Sequence, residues 1–376
     1  MMRKICYITG TRADFGLMQS TLRLIDQTPA LKLSIIVTGM HLLAEYGLTV
    51  RDIESTGLNI EAKIEVEAQS SGSTMGRNIG RMVTALTDIL AAAKPDLILL
   101  LGDRGEMLAG AIAAIHLNIP IFHIHGGERS GTVDEPVRHA ISKLSHIHCV
   151  ATAEARDRLI RMGESPDHIH VVGAPGLDGL TDLSSISRTT LLQSIGLDQK
   201  RPFALLVYHP VLQEADAAGK TLEAIFSAMA SHDLQIVALK PNSDAGSDQI
   251  RQVLALHADD KNIRVITHFP REQFISWMAA ADIMIGNSSA GIIEAASFGT
   301  PVINIGSRQN LRERNANTID VPTDAAAIDT AISAALKSGR TTRQNVYGDG
   351  ESGRRILQLL QETPLGADLL AKSNAY

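Results

Sequence analysis

The chain has 376 residues, 44% of them hydrophobic and 20% charged, with a formal net charge of -6. That composition is typical of a soluble globular protein, and the length is sufficient for two domains. The negative net charge argues against broad binding to nucleic acid or anionic membranes, although a few local arginines are enough for a small anionic ligand. No run of about 18 apolar residues and no secretory signal pattern occur, so we expect a cytoplasmic protein without a membrane span. Cys6 and Cys149 lie in apolar stretches and are expected to be buried thiols.

Short apolar runs alternate with amphipathic segments along most of the chain. The predicted strands are Lys4–Thr9, Leu31–Thr38, Asp96–Leu101, Pro120–Ile124, His146–Ala151, Phe203–Tyr208, Leu234–Leu239, Asn262–Ile266, Asp282–Ile285 and Pro301–Ile303. The clearest predicted helices are Thr74–Ala93, Glu214–Ser231 and Arg271–Ala280. Runs that are apolar on both faces, such as Leu97–Leu101, are typical of parallel strands covered by helices. The sequence therefore predicts a doubly wound α/β fold.

A polar stretch, Thr181–Thr190, interrupts this alternation and predicts a hinge near residues 174–188. We expect Rossmann-like domains at 1–174 and 188–352, with a C-terminal helix in 353–376 that packs back on either half. In each half a strand ends in a glycine and a polar cluster, at Gly102–Arg104 and at Gly286–Ser289. Ligands of open α/β sheets bind beyond the carboxyl ends of the strands, so both clusters are expected on one cleft.

The first predicted strand leads into Thr9–Gly16, which contains no dinucleotide-binding G-x-G-x-x-G pattern. A glycine-flanked loop before a helix still offers backbone N–H groups to an anion, and Arg12 adds a cation. The alternative is an ordinary turn with a surface arginine.

The segment Gly286–Glu294 predicts a second anion site. Ser288 and Ser289 fall at a helix start, where hydroxyls and N–H groups can hold a diphosphate. Glu294 follows one to two turns later and could accept hydrogen bonds from ribose hydroxyls. Alternatively, the serines cap the helix and the glutamate stabilises its first turn. Arg308 lies after the next strand and is a further candidate phosphate ligand.

The segment His123–His139 is the richest in ionisable groups: it carries His125, Glu128, Asp134, Glu135 and His139 after the predicted strand. Asp103 ends the neighbouring strand and should point to the same place. This concentration suggests acid–base chemistry. Alternatively, Asp134 only caps the following helix and Glu128 is solvated. His123 and His125 have the spacing of a metal-ligand pair, but without a third clear ligand we expect no metal.

Two further strand ends carry a proline beside a polar residue, at Tyr208-His-Pro210 and Lys240-Pro-Asn242. Because proline ends a strand abruptly, His209 and Asn242 are expected at the edge of the cleft. A structural, hydrogen-bonded histidine is the alternative for His209.

Taken in order, these motifs resemble those of the hydrolysing UDP-N-acetylglucosamine 2-epimerases, in the branch that feeds sialic-acid-type nonulosonic acid synthesis. The resemblance covers nearly the whole chain: Thr11–Asp14, Val37–His41, Gly102–Arg104, Gly126–Thr132, Arg138–Lys143, His209-Pro210, Pro241-Asn242, Gly286–Ser289 and Gly306–Gln309. The non-hydrolysing branch is expected to have a run closer to A-G-L-R-T after the two glycines and a basic run after the histidine at His209. Neither is present.

The resemblance implies a GT-B-like fold of two Rossmann-type, doubly wound parallel-sheet domains with the active site in the cleft between them. The residues that it implies for UDP are Arg12, His209, Asn242, Ser288, Ser289, Glu294 and Arg308. Arg104 and Glu128 would contact the sugar, and the catalytic groups would be Asp103, His125 and Asp134. The C2 proton and UDP leave to give a 2-acetamidoglucal, water then adds at C1, and a proton returns to C2 from the opposite face. The resemblance implies no cofactor and no metal, a UDP-sugar as the binding partner, and a homo-oligomer, either dimer or tetramer.

The chain departs from many such relatives at His125, where they carry glutamate in H-I-E-G-G-E. The histidine form resembles a subgroup, some of whose members act on UDP-2,4-diacetamido-2,4,6-trideoxy sugars on the way to legionaminic acid. UDP-GlcNAc, giving N-acetylmannosamine, is the first expected substrate, and UDP-N,N'-diacetylbacillosamine is the alternative. Two alternatives come from other functional classes. One is a GT-B glycosyltransferase, against which the acidic cluster around Asp134 argues. The other is a non-catalytic UDP-sugar sensor, which would not need Asp103 and Asp134.

Overall fold

A computed structural model describes residues 2–68, 71–130, 133–211, 216–241 and 246–375. The chain forms two compact units. The first unit comprises Met1–Arg129, Val133–Asp178 and Tyr347–Tyr376, and the second comprises Ser130–Thr132 and Gly179–Val346.

The first unit is built on a seven-stranded parallel sheet. Its strands are β1 (Arg3–Thr9), β2 (Leu31–Val37), β3 (Ile60–Lys63), β4 (Leu97–Leu101), β5 (Ile121–Ile124), β6 (Ile147–Val150) and β7 (Ile169–Val171), in the order β3-β2-β1-β4-β5-β6-β7. The helices between them are α1 (Arg12–Asp26), α2 (Val50–Ser55), α3 (Gly72–Ala93), α4 (Gly105–His116), α5 (Asp134–Leu144) and α6 (Ala153–Arg161).

The two faces of this sheet are both apolar, which explains the continuous hydrophobic runs of its central strands. Ile5 and Tyr7 of β1 pack into one core cluster with residues of α1. Cys6 and Ile8, which point to the opposite face, pack into another cluster with residues of α3 and α4. Because side chains alternate along a strand, a sheet covered by helices on both sides needs apolar residues at every position.

The second unit contains a six-stranded parallel sheet. Its strands are β8 (Phe203–Val207), β9 (Gln235–Leu239), β10 (Ile263–Ile266), β11 (Ile283–Gly286), β12 (Val302–Ile305) and β13 (Thr318–Val321), in the order β10-β9-β8-β11-β12-β13. Its helices are α7 (Leu180–Leu183), α8 (Arg188–Ser194), α9 (Ala218–Ala230), α10 (Ser247–Leu256), α11 (Arg271–Ala280), α12 (Ser289–Ile293) and α13 (Ala325–Ser338). The single tryptophan of the sequence, Trp277, is buried in this unit against the ring of Phe203, with the centroids 5.4 Å apart.

The last segment returns to the first unit as α14 (Ser352–Glu362) and α15 (Ala367–Leu370). Ile356 and Leu360 of α14 share a core cluster with Leu22 and Ile25 of α1. The Asp178 carboxylate accepts hydrogen bonds from the backbone N–H groups of Ser352 and Gly353, which start this helix.

The predicted fold class of two Rossmann-type parallel-sheet units is confirmed. Every predicted strand is present within two residues at each end, whereas β3, β7 and β13 were not predicted. In the part of the chain that the structure describes, no helix is long and apolar enough to cross a membrane.

Candidate functional site

Several candidate residues follow the strands between which the strand order reverses. In the first sheet the reversal lies between β1 and β4, and in the second between β8 and β11. Open parallel sheets bind ligands outside the carboxyl ends of the strands at such a reversal. Arg12 and Asp103 follow β1 and β4, whereas His209 and Ser288 follow β8 and β11.

Asp103 is held by a buried arginine that the sequence analysis did not assign to the site. Gly102 directly follows β4 with φ +84°, a conformation that favours glycine, and the chain turns there before Asp103. Arg138 of α5 is only 1% exposed and forms an ion pair with the Asp103 carboxylate. Its other terminal nitrogen, Nη1, donates to the Glu128 backbone oxygen at 3.0 Å. Arg138 therefore connects the segment after β4 to the loop after β5.

His125 forms a buried pair with Glu128. The histidine follows β5 with φ +62°, and its backbone N–H donates to the Cys149 oxygen at 3.1 Å. Its Nδ1 atom hydrogen-bonds to Oε1 of Glu128, and the two residues are 7% and 5% exposed. Glu128 is thus buried and paired rather than solvated. An imidazole oriented by a carboxylate is an arrangement suited to moving a proton.

The two glycines after His125 allow this loop to pack closely. A Cβ atom on Gly126 would lie 3.0 Å from the Nδ1 atom of His123. Gly127 has φ +74°, and a Cβ atom there would collide with the Ala155 backbone oxygen. Glycine is therefore required at Gly127 on both conformational and steric grounds.

His123 has a structural role. Its Nε2 atom lies 2.7 Å from the Gly102 oxygen, and its Nδ1 atom lies 3.1 Å from the Ser142 hydroxyl of α5. Burial lowers the pKa of His123 to about 3, so the ring is neutral at physiological pH. Both ring nitrogens are engaged, and no group of three or more potential metal ligands occurs among the described residues.

Asp134 begins α5, but it is not the residue that caps this helix. Within the described residues, the N-cap is Val133, for which no side-chain capping hydrogen bond is recorded. The capping alternative for Asp134 is therefore not what the structure shows. Arg104 precedes α4, and its Nε atom donates to Oε2 of Glu106 at 3.3 Å.

The loop between β1 and α1 is closed by Asp14. The backbone N–H groups of Gly10 and Thr11 donate to the Asp14 carboxylate at 3.0 and 2.9 Å. Burial raises the pKa of Asp14 to about 6 in spite of these hydrogen bonds. These two N–H groups already have an acceptor within the loop, so we no longer expect them to bind an anion. The Arg12 side chain is the part of this loop that we still expect to do so. Burial lowers the pKa of Arg12 to about 10, and the guanidinium remains charged at neutral pH.

Asn287 organises three strand ends in the second unit, and the sequence analysis did not assign it a role. Its side chain forms reciprocal hydrogen bonds with the backbone of His209, each 2.8 Å long. Its backbone oxygen accepts from Nη1 of Arg308 at 3.2 Å and from Nε2 of Gln309 at 3.0 Å. The loops after the adjacent strands β8, β11 and β12 therefore meet at Asn287.

The serines lie at a helix start as predicted, and Glu294 lies at the other end of that helix. Ser288 is the N-cap of α12 and its hydroxyl accepts from the Ala290 N–H at 3.3 Å, while Ser289 is the first helical residue. Glu294 is the C-cap, is 2% exposed and forms an ion pair with Arg271. It therefore does not stabilise a first turn. Asn242 lies outside the described residues.

Comparisons with a family model and with known proteins all match UDP-sugar 2-epimerases. The family model described as UDP-N-acetylglucosamine 2-epimerase matches residues 23–361. The chain is 50% identical over 377 residues to a UDP-N,N'-diacetylbacillosamine 2-epimerase (hydrolyzing) of Legionella pneumophila, covering all of both chains. It is 36% identical over 354 residues to a UDP-N-acetylglucosamine 2-epimerase of Neisseria meningitidis, covering 93% of this chain and 92% of that one.

A solved structure shows the same fold at much lower sequence identity. The UDP-GlcNAc 2-epimerase from Neisseria meningitidis bound to UDP-GlcNAc superposes with a TM-score of 0.81 at 18% identity, covering 96% of this chain and all of that chain. Two parallel-sheet units, the candidate residues at their strand ends and a family match across most of the sequence lead to one conclusion. The chain belongs to the UDP-N-acetylglucosamine 2-epimerase family.

Proposed function

We propose that the chain is a hydrolysing 2-epimerase of UDP-linked 2-acetamido sugars, which releases UDP and the free sugar inverted at C2. The observation that carries this proposal is the buried His125–Glu128 pair, which Arg138 joins to the Asp103 carboxylate. A binding protein for UDP-sugars would not need a buried proton carrier next to a fixed carboxylate. Membership of the 2-epimerase family supports the same reaction.

The proposed chemistry needs two proton transfers and one good leaving group. Loss of the C2 proton and cleavage of the C1–O bond release UDP and leave a 2-acetamidoglucal. Water then adds its hydroxyl at C1, and a proton enters C2 from the opposite face. We assign the acid–base work to His125, Asp103 and Asp134, with Glu128 orienting the histidine and Arg104 contacting the sugar.

The second unit provides the groups that we propose for UDP. Arg308 and the hydroxyls of Ser288 and Ser289 supply positive charge and hydrogen bonds to a leaving diphosphate. The buried Glu294 is assigned to the ribose hydroxyls. The remaining proposed contacts to UDP are Arg12, His209 and Asn242.

Of the two substrates that the sequence predicted, we propose UDP-N,N'-diacetylbacillosamine as the preferred one. The relative that shares half of its residues with this chain over the full length bears that substrate in its name. UDP-GlcNAc is the second candidate, because a relative with 36% identity is a UDP-N-acetylglucosamine 2-epimerase. We also retain the expectation of a homo-oligomer, dimer or tetramer, which light scattering on the purified protein measures directly.

The test is turnover of each UDP-sugar separately in D2O, followed by NMR. We expect UDP and a free sugar with inverted C2 that carries deuterium there, at a higher kcat/KM for the diacetamido substrate. A free sugar that retains the original C2 hydrogen would indicate simple glycoside hydrolysis instead. Turnover that requires an added acceptor would indicate a glycosyltransferase, and binding without turnover would indicate a sensor.

A further inference from the structure

A cluster of charged groups lies behind α5, the helix whose residues Asp134 and Arg138 belong to the candidate site. Glu164 is 2% exposed, and its carboxylate lies 2.7 Å from Nζ of Lys143, 2.9 Å from Nε2 of His148 and 2.6 Å from Nζ of Lys372. Burial alone would raise the pKa of Glu164, but the hydrogen bonds from His148, Lys143 and Lys372 outweigh it and lower the pKa to about 2. The carboxylate is therefore charged and fixes the Lys372 ammonium group.

Lys372 also binds the end of α5 directly. Its Nζ donates to the backbone oxygens of Ser142 and Lys143 at 3.1 and 2.9 Å, and to that of Ser145. The last carbonyl groups of a helix have no partner within the helix, and a cation there also complements the helix dipole. The C-cap residue Ser145 binds the Ile141 and Ser142 oxygens. A lysine far along the chain adds its charge to this end of α5 and also binds the Lys143 and Ser145 oxygens.

Ser142 links this cap to the candidate site. Its backbone oxygen accepts from Lys372, and its hydroxyl contacts Nδ1 of His123, whose Nε2 reaches the Gly102 oxygen. One turn earlier on α5, Arg138 holds the Asp103 carboxylate. Both connections lead from the Lys372 end of the helix to Gly102 and Asp103 at the end of β4.

We propose that Lys372 is a positioning residue, which fixes the C-terminal end of α5 so that Arg138 and Asp134 hold their catalytic placement. The catalytic roles of Asp103 and Asp134 in this inference rest on the proposed function. The contacts that join Lys372 to α5 and to the end of β4 do not depend on it. Asn374 also contacts α5, because its Oδ1 accepts from Nζ of Lys143 at 2.6 Å, but Lys372 is the residue that binds the backbone oxygens at the end of the helix.

The variant that tests this is Lys372→Ala, with Lys337→Ala as its matched control. Lys337 is an exposed lysine in the last turn of α13. We expect Lys372→Ala to lower kcat roughly 10-fold or more, because small displacements of catalytic groups cost up to about 100-fold, with KM and UDP affinity within about twofold of the parent protein. The control should leave all three unchanged.

Chemical rescue separates positioning from general damage. A cavity of about 330 Å³ adjoins Lys372 and is also lined by Lys143, His146 and Asn118. Propylamine should enter the space left by Lys372→Ala and restore part of kcat, while leaving Lys337→Ala unaffected. Unchanged kcat in Lys372→Ala, or loss of UDP affinity together with kcat and no rescue, would overturn the proposal.

Hydrogen exchange provides a readout that does not depend on activity. In Lys372→Ala, amide exchange should increase in peptides covering 142–147 and also in those covering 102–106, and propylamine should reverse both. Faster exchange confined to 142–147 would show that Lys372 only caps the helix. If the parent protein turns over neither UDP-sugar, the proposed function fails, and exchange at 102–106 still decides whether Lys372 controls the end of β4.

Discussion

His125 combines a costly backbone conformation with a ring whose Nδ1 atom is bonded to Glu128. A positive φ at a residue other than glycine costs on the order of 1–3 kcal/mol and persists only where the surroundings enforce it. Here the enforcing contacts are the hydrogen bond to the Cys149 oxygen and the bond from the ring to Glu128. A scaffold that maintains this strain holds the imidazole in one orientation, which a proton-transfer group requires.

The first prediction follows from that orientation. His125→Gln keeps a hydrogen-bonding group next to Glu128 but cannot carry a proton, so kcat should fall by roughly 10²–10⁴ while UDP affinity stays unchanged. His116→Gln, on the exposed face of α4, is the control. A variant that raises KM and leaves kcat alone would show that His125 only binds the sugar. His125→Glu introduces the residue that many relatives carry, and a gain on UDP-GlcNAc at the expense of the diacetamido sugar would make His125 a specificity element.

The second prediction concerns Asp103 and its buried partner. Asp103→Asn removes the ability to move a proton and also leaves the Arg138 charge without its carboxylate. We expect kcat to fall by roughly 10²–10⁴ and stability to fall by about 1–3 kcal/mol, since buried charges are costly without their partners. Kinetics and urea unfolding measure the two effects, with Asp88→Asn on the exposed side of α3 as the control. Asp103 is not part of the mechanism if stability falls while kcat is unchanged.

Which residues of the site could be predicted from the sequence depended on the residue type and on its position relative to the strands. The titratable side chains after β4 and β5 could be predicted because their types and their positions at strand ends are visible in the sequence. Arg138 and Asn287 were not assigned, because an arginine within an amphipathic helix and an asparagine in a turn usually face solvent. Their roles arise from contacts with Asp103 and His209, which lie 35 and 78 residues away in sequence.

At the scale of elements, the start of α12 distinguishes capping from diphosphate binding. Ser288→Asp preserves a good N-cap, because aspartate accepts the same backbone hydrogen bond, but it places a negative charge where we propose the diphosphate. We therefore expect nearly unchanged stability and a loss of UDP affinity of at least about tenfold, roughly 1.4 kcal/mol. Calorimetric titration with UDP measures this, and Ser187→Asp at the N-cap of α8 is the control. Retained UDP affinity would leave Ser288 as a helix cap alone.

The strands that the sequence did not reveal lie at sheet edges. β3 and β7 flank the first sheet, and β13 is one edge of the second. These strands have three or four residues, and most of their residues are only partly buried. Central strands such as β4 are buried on both faces, so they produce the continuous apolar run that sequence reasoning detects. An edge strand that is solvated along one side does not need such a run, so the positions of the central strands could be predicted better than the extent of either sheet.

At the scale of the whole molecule, the ionisable groups that folding perturbs most are concentrated in the first unit. Burial lowers the pKa of His41 to about 4, that of His123 to about 3 and that of His146 to about 4. Between about pH 4 and 6.5 the unfolded chain therefore binds these protons and the folded protein does not. Their contribution to stability is complete above about pH 6.5 and is lost as the pH falls. Asp14 acts in the opposite direction: its pKa is raised from 3.8 to about 6, so its contribution is present below about pH 4 and is lost as the pH rises through 6.

The last prediction is that acid destabilises the protein at a pH well above the range near 4 in which most of its carboxylates are protonated. The three histidines less Asp14 account for about two protons, so these four groups should lower the free energy of unfolding by about 2–3 kcal/mol between pH 6 and pH 5. Burial also lowers the pKa values of His139, His148 and His170, which makes the same slope steeper. Urea unfolding followed by circular dichroism at several pH values measures this slope. His41→Gln should reduce it by about one proton whatever it does to absolute stability, whereas His116→Gln on the surface should leave it unchanged. Trp277 lies in the second unit, so its fluorescence reports separately on the unit that holds none of these four groups. A stability that is flat from pH 6 to 5, or a slope that His41→Gln does not alter, would show that these histidines are protonated in the folded protein.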